Sequence, residues 1–177
     1  PYKNQIIKDI KKILLKWGFS KNGIFSNSKG EWYLFSQIFI IFLHILPPYP
    51  KPGYVSSSVH IFFMIIGIII SIQGAIIAFK AFIDLGKNLT PLTYPMKSSV
   101  LITTNSYQNE RHPIYKGLLV ISLGICLSSL SLVHLFLLLS LAYILKAKAL
   151  KEEEKLKKFF PEYENYIKAV PAIINNI

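Results

Sequence analysis

At 177 residues the chain has the length of one domain; 52% of it is hydrophobic and its formal net charge is +11. The apolar residues gather in blocks near 32–46, 59–79 and 114–145, with the charges pushed between them. That blockiness excludes an ordinary soluble domain and predicts an all-α, polytopic membrane bundle. The lysines flank the blocks and form no stripe interleaved with aromatics, so the basic balance points to a lipid bilayer as partner and away from nucleic acid.

Residues 6–17, IIKDIKKILLKW, place Ile6, Ile10, Ile13, Leu14 and Trp17 on one helical face, with Lys8, Lys11, Lys12 and Lys16 largely opposite. This predicts an amphipathic helix suited to an anionic membrane surface, with Trp17 at the interface; a soluble packing helix is the alternative. The following residues, 18–30, are rich in Gly, Asn and Ser and read as a loop. The block WYLFSQIFIIFLHIL (32–46) has no formal charge and stops at PPYPKP. It is short for a span, but Trp32, Tyr33 and Tyr49 would extend it into both interfaces. Because the first apolar run starts beyond residue 30, behind a lysine-rich segment, no cleavable signal peptide is expected.

From Val59 to about Phe79 the chain is uncharged and predicts a full span. A polar stretch follows over 84–113. Between Lys116 and Lys146 no formal charge occurs. As one helix this segment would reach about 43 Å, well beyond a hydrocarbon core of roughly 30 Å. Gly124 and the serines of CLSSLSL (126–132) offer a break, so a helical hairpin is preferred to a single helix. The tail AKALKEEEKLKKFFPEYENY starts as helix, and Pro161 ends or kinks it.

Seven lysines precede the first block and seven more follow from Lys146 onward. The 47–58 connection holds only Lys51, whereas the second loop and its edges carry Lys80, Lys87, Lys97, Arg111 and Lys116. The positive-inside bias then puts the N-terminus, the second loop and the tail in the cytoplasm, which requires an even number of crossings. With the hairpin the count is four.

This topology brings NERHPIYKG (109–117) and the glutamates 152–154 to one membrane face. Ionisable groups at a membrane edge are functional candidates. Their structural alternatives are a snorkelling anchor for Arg111, a helix cap for His112 and a solvated face for the glutamates. Cys126 is the single cysteine, and His44, His60, His112 and His134 lack metal-ligand spacing, so no disulfide within the chain and no metal is expected.

The segment LITTNSYQNERHPIYKG (101–117), an apolar hairpin, then KEEEKLKKFFPEYENY (151–166) and Val170-Pro171 together resemble the isoprenylcysteine carboxyl methyltransferase and phospholipid methyltransferase family. DLGKNLTP (84–91) resembles the start of that family's loop. The resemblance covers about residues 84–171. It implies an integral membrane methyltransferase that binds S-adenosyl-L-methionine at the cytoplasmic edge and acts on a lipophilic acceptor. That acceptor would be a prenylated cysteine, a phospholipid or a thiol, with carboxyl O-methylation of isoprenylcysteine the most similar activity. By the same resemblance Leu101 and Ile102 line the cofactor pocket, Tyr107 packs on the cofactor, and His112, Pro113, Ile114 and Tyr115 wrap it. Glu152, with Glu153 beside it, would meet the methionine ammonium. Lys148 falls where the prenylcysteine enzymes carry an arginine for the substrate carboxylate, without that arginine's planar two-pronged grip. Lys148, Glu152 and Arg111 are the implied catalytic residues. Asn105 stands where the family has a glycine, and FFPEY lacks the glycine of the family's tail.

No G-x-G occurs, so the glycine-rich loop of a Rossmann-type methyltransferase is absent from the sequence. Two further readings stay open: an NADPH-dependent membrane reductase of related fold, and a non-enzymatic membrane protein whose loop and tail bind a partner or anionic lipid. The chain divides into an amphipathic segment and loop (1–31), two membrane helices (32–83) and a cofactor-binding region with hairpin and tail (84–177).

Overall fold

A computed structural model describes residues 2–96 and 98–176. Lys97, one of the loop lysines, and the side chain of Lys16, expected on the polar face of the first helix, lie outside the described part. Among the described residues the chain is helical, without strands. The helices are α1 (Tyr2–Lys16), α2 (Lys21–Ser26), α3 (Glu31–Leu43), α4 (Ser57–Leu85), α5 (Pro113–Ser129), α6 (Leu132–Phe159) and α7 (Tyr163–Ala169). By length and composition α4 and α6 are each long and apolar enough to cross a membrane, while α3 and α5 are shorter apolar helices.

Residues 18–30 depart from the expected loop, since they contain α2. The Ser20 hydroxyl accepts the Gly23 amide at 3.0 Å, and Asn27 ends the turn in the left-handed region. Ser and Asn favour loops because their side chains bond nearby backbone, and the same bonds cap a short helix. The apolar stretch after Pro113 breaks at Leu130, left-handed at φ +44°, and at Ser131, which caps α6 by accepting the His134 amide. Gly124 is not the break. It lies inside α5 and is buried against α4.

Glycines set the closest helix contact. Gly67 and Gly74 of α4 meet Gly124 and Gly117 of α5, so the two helices run antiparallel with backbones in near contact. A Cβ on Gly74 would lie 2.6 Å from the Ile121 amide nitrogen, and backbone cannot yield there. α5 also packs on α6, and α6 on α3, giving the lateral order α4, α5, α6, α3. Leu119, Leu141, Leu145 and Ala149 form the core between α5 and α6, closed from the tail by Ala172 and Ile174.

The bundle has two unlike ends. At one, the 47–56 connection meets the α5–α6 turn: the Ser131 hydroxyl donates to the Tyr49 carbonyl at 3.0 Å, and the Tyr54 hydroxyl donates to the Leu130 carbonyl. Close to that end Ser122 and His44 are hydrogen-bonded at 2.6 Å, joining α5 to α3. At the other end Trp17 and Gly18 just after α1, the 84–112 loop and the tail after α6 converge.

Candidate active site

Three chain segments are pinned to build that second end. Asp84, near the end of α4, accepts the Ser106 amide at 3.0 Å and the Ser106 hydroxyl at 2.5 Å, which fixes the turn containing Tyr107. Glu110 accepts the amides of His112 at 3.3 Å and Ile173 at 3.1 Å, and the Arg111 amide donates to the Pro171 carbonyl at 3.1 Å. The tail is thereby bound to the loop. The Tyr166 hydroxyl adds a bond to the Tyr107 carbonyl. From the N-terminal side, the Lys29 carbonyl accepts both the amide and the hydroxyl of Thr93, at 3.0 and 2.9 Å. Gly30 makes this approach possible: its φ is +79°, and a Cβ there would sit 2.6 Å from the Thr93 hydroxyl oxygen.

These elements enclose a cavity of about 360 Å³, within the range of small-molecule sites. Leu34, Phe82, Leu92, Leu101, Ile102 and Leu156 supply apolar wall, and the polar groups gather where α3, α5 and α6 meet. There the Tyr115 hydroxyl donates to Glu152 Oε2 at 2.7 Å, and Lys148 Nζ donates to Gln37 Oε1 at 2.8 Å. Lys148 Nζ also stands 5.2 Å above the Tyr115 ring. Although a lysine, Lys148 is only 3% exposed. Pro113 at the first position of α5 and the stacking of His112 on Tyr115, with centroids 5.3 Å apart, fix the Tyr115 ring that holds Glu152.

Next to this set lies a second polar group, of which Arg111 and His112 reach the cavity lining. Glu153 receives Arg111 Nε at 3.0 Å and His112 Nε2 at 2.9 Å, all three side chains being nearly buried. Arg111 Nη1 also donates to the carbonyls of Ile167 and Val170. Buried charge is retained when paired and hydrogen-bonded, and this cluster satisfies both conditions.

The structure therefore brings Leu101, Ile102, Tyr107, Arg111, His112, Ile114, Tyr115, Lys148 and Glu152 into the lining of one cavity. Pro113 and Glu153 stand outside that lining. Adjacent in sequence, Glu152 and Glu153 point to different partners because a helix turns about 100° per residue. Gln37, Trp17, Tyr163 and the segment 88–95 also line the cavity, and sequence reasoning missed them as site residues. For Gln37 a signal existed: it is the one amide inside the uncharged block 32–46.

Tyr107 of the loop and Tyr163 and Tyr166 of the tail stay protonated. Burial, and then the carboxylate of Glu152, raises the Tyr107 phenol well above its ordinary value. Burial followed by Glu153 and Glu152 does the same to Tyr163, whose hydroxyl is buried without a hydrogen-bond partner among the described residues. Tyr166 is pushed up to about 12, chiefly by burial. Each can act as a donor at neutral pH.

A profile of the phospholipid methyltransferase family matches residues 62–163, more than half of the chain. The chain belongs to that family. No curated protein and no solved structure matches it. The matched residues run from early α4 to the start of α7, and so contain most of the cavity wall while leaving α1 to α3 outside. The protein is thus a member of a membrane methyltransferase family, and its apolar helices agree with membrane association. Among the described residues no group of three or more His, Cys, Asp or Glu is placed to hold a metal.

Proposed function

We propose that the cavity binds S-adenosylmethionine and that the protein methylates a lipophilic acceptor at the edge of the bilayer. The observation that carries this reading is the carboxylate of Glu152, held by Tyr115 on the wall of a largely apolar cavity. The donor set fits such a group: a fixed carboxylate for an ammonium, a buried phenol at Tyr163 that has no partner among the described residues, and aliphatic wall at Leu101 and Ile102 for a flat ring system. When bound, S-adenosylmethionine supplies an electrophilic methyl group on a sulfonium.

The remaining work belongs to the chain. In-line methyl transfer needs positioning and exclusion of water. Tyr107, Ile114 and Tyr115 contribute wall, and Tyr163 and Tyr166 of the tail, which is tied to the loop through Glu110 and Arg111, add to the lining. Lys148, buried beside Gln37, offers a cation to an acceptor that carries an anionic group. Such an acceptor matches a prenylated cysteine carboxylate or a phospholipid better than a plain thiol. Arg111 acts here as a positioning residue, because its guanidinium is engaged by Glu153 and the tail carbonyls.

We further propose four membrane crossings, α3, α4, α5 and the apolar part of α6, with both termini and the cavity cytoplasmic. The convergence of the first loop with the α5–α6 turn at the opposite end supports this reading. Cysteine labelling at positions 53 and 129 should find both on the far side. A cytoplasmic 129 would remove the hairpin from the bilayer.

Calorimetry of the detergent-purified protein tests the cofactor, with S-adenosylmethionine expected to bind and NADPH not. Turnover of radiolabelled S-adenosylmethionine on a farnesylated cysteine, a phosphatidylethanolamine and an alkyl thiol then ranks the acceptors. Binding of NADPH alone would replace this reading with the reductase.

A further inference from the structure

We propose that α1 docks on an anionic lipid surface, and that this docking seats Trp17 across the mouth of the cavity. From Gln5 to Leu15 every residue of α1 is exposed, on both faces of the helix. Ile6, Ile7, Ile10, Ile13 and Leu14 fall within an arc of roughly 120° at 100° per residue. An apolar face of that kind is costly in water and is accommodated by the headgroup–acyl boundary of a bilayer. Lys8, Lys11 and Lys12 stand on the other side, offset only by Asp9, and this balance is complementary to anionic headgroups. The helix belongs to a chain whose other apolar helices already put it in a membrane, so the surface it needs is adjacent.

Unlike α1 itself, the chain just beyond it is anchored. The Gly18 amide donates to the Leu15 carbonyl and the Phe19 amide to the Leu14 carbonyl, each at 3.0 Å. Lys29 Nζ holds the Gly18 carbonyl at 2.9 Å, and the Lys29 carbonyl in turn holds Thr93. Trp17 sits between the free helix and this anchor, half-buried, and is one of the residues that line the cavity, as are Leu34, Gln37 and Tyr94. Any change in the tilt of α1 is therefore delivered to a cavity residue over one turn of chain. Access to the cavity becomes sensitive to the charge of the surrounding lipid. This proposal concerns access and not chemistry, so its test is read without turnover.

The full chain is reconstituted in nanodiscs of phosphatidylcholine alone or with added phosphatidylserine. In a Trp32→Phe background Trp17 is the single tryptophan, and its emission should shift to the blue as phosphatidylserine is added. Each lysine near an anionic surface contributes a factor of roughly five, so Lys8→Gln/Lys11→Gln/Lys12→Gln should lower the docking equilibrium by roughly 100-fold and abolish the shift. For cavity access, Tyr94→Cys in a Cys126→Ser background is alkylated with a membrane-impermeant maleimide. Alkylation should slow several-fold with phosphatidylserine, and the slowing should vanish in the triple variant and in Trp17→Ala. A Trp17 shift indifferent to lipid charge, or present equally in the triple variant, overturns the docking and points instead to neutral insertion or a protein partner. A charge-dependent shift with unchanged alkylation overturns the link to the cavity. Neither result bears on whether the cavity binds S-adenosylmethionine, which calorimetry decides separately.

Discussion

Two stretches of this chain are written in similar letters and meet opposite fates. In α1 the run IIKDIKKILL is exposed at every position, and its charges face solvent. Near the end of α6 the run KAKALKEEEK contains Lys148 and Glu153, exposed to only 3% and 7%. Both are amphipathic helices rich in lysine. The difference lies in what other parts of the chain bring to them. Gln37 comes from α3, Tyr115 from α5, and Arg111 with His112 from the preceding loop, all to meet one turn of α6. Burial of a charge is thus a property of the partners that reach it, and those partners lie 37 to 111 residues away in sequence.

Breaking the buried ion cluster should give the largest effect. Glu153→Gln leaves Arg111 and His112 facing a neutral amide in a nearly closed site. Losing one member of a buried pair costs about 3–5 kcal/mol. The thermal midpoint in detergent should drop markedly, with or without cofactor. A midpoint within a degree or two of the parent would show that the cluster is wetter than its geometry indicates.

Glu152→Gln should separate binding from stability. The proposed charge-assisted bond to an ammonium is worth roughly 1.5–3 kcal/mol, so S-adenosylmethionine affinity should fall about 10- to 150-fold. Unfolding without cofactor should barely change, because the Tyr115 hydroxyl can donate to the amide oxygen as it does to the carboxylate. Calorimetry reads the first quantity and a thermal melt the second. Equal cofactor affinity in parent and variant would move the ammonium site elsewhere.

A smaller and differently directed effect is expected at Lys148. Lys148→Ala removes the bond to Gln37 and the cation above Tyr115 but spares the Glu152 carboxylate. If Lys148 receives an anionic acceptor, its loss should raise the acceptor KM by about tenfold, in line with one hydrogen bond to a charged group. Cofactor Kd should stay within about twofold of the parent. A rise in cofactor Kd with unchanged acceptor KM would reverse the assignment.

How far the sequence discloses this arrangement follows from which interactions are local. The helical class, an apolar helix over about 59–79 (observed as Ser57–Leu85) and an end or kink at Pro161 are local matters of hydropathy and backbone chemistry, and they could be read directly. The division of the last apolar stretch was legible as a need for a break. Its position was not, because Gly124 and the serine run offered equal local weakness. Packing decided it: Gly124 is taken up by the close approach of Gly67 and Ser71. The assignment of the three glutamates was the hardest part. Periodicity shows that they diverge around the helix, but only the loop's arrival tells which one meets Arg111. Gln37 stood visible as a lone amide among apolar residues, yet nothing near it in sequence named Lys148 as its partner.

The third glutamate supplies the smallest effect and the control for the others. Glu154 accepts Lys158 Nζ at 2.6 Å, one turn along the same helix, and Lys155 stands 3.8 Å away. Its side chain is 56% exposed and that of Lys158 69% exposed. In such a pair water screens the attraction, and ordering two long side chains offsets most of what remains. Glu154→Gln should therefore leave the thermal midpoint, the cofactor Kd and the acceptor KM indistinguishable from the parent. Raising the salt concentration should not change that outcome. The substitution is chemically identical to those at Glu152 and Glu153, on neighbouring positions of one helix. A loss of cofactor affinity at Glu154 equal to that at Glu152 would mean that net charge at this end of the bundle, and not a specific carboxylate in the cavity, governs binding.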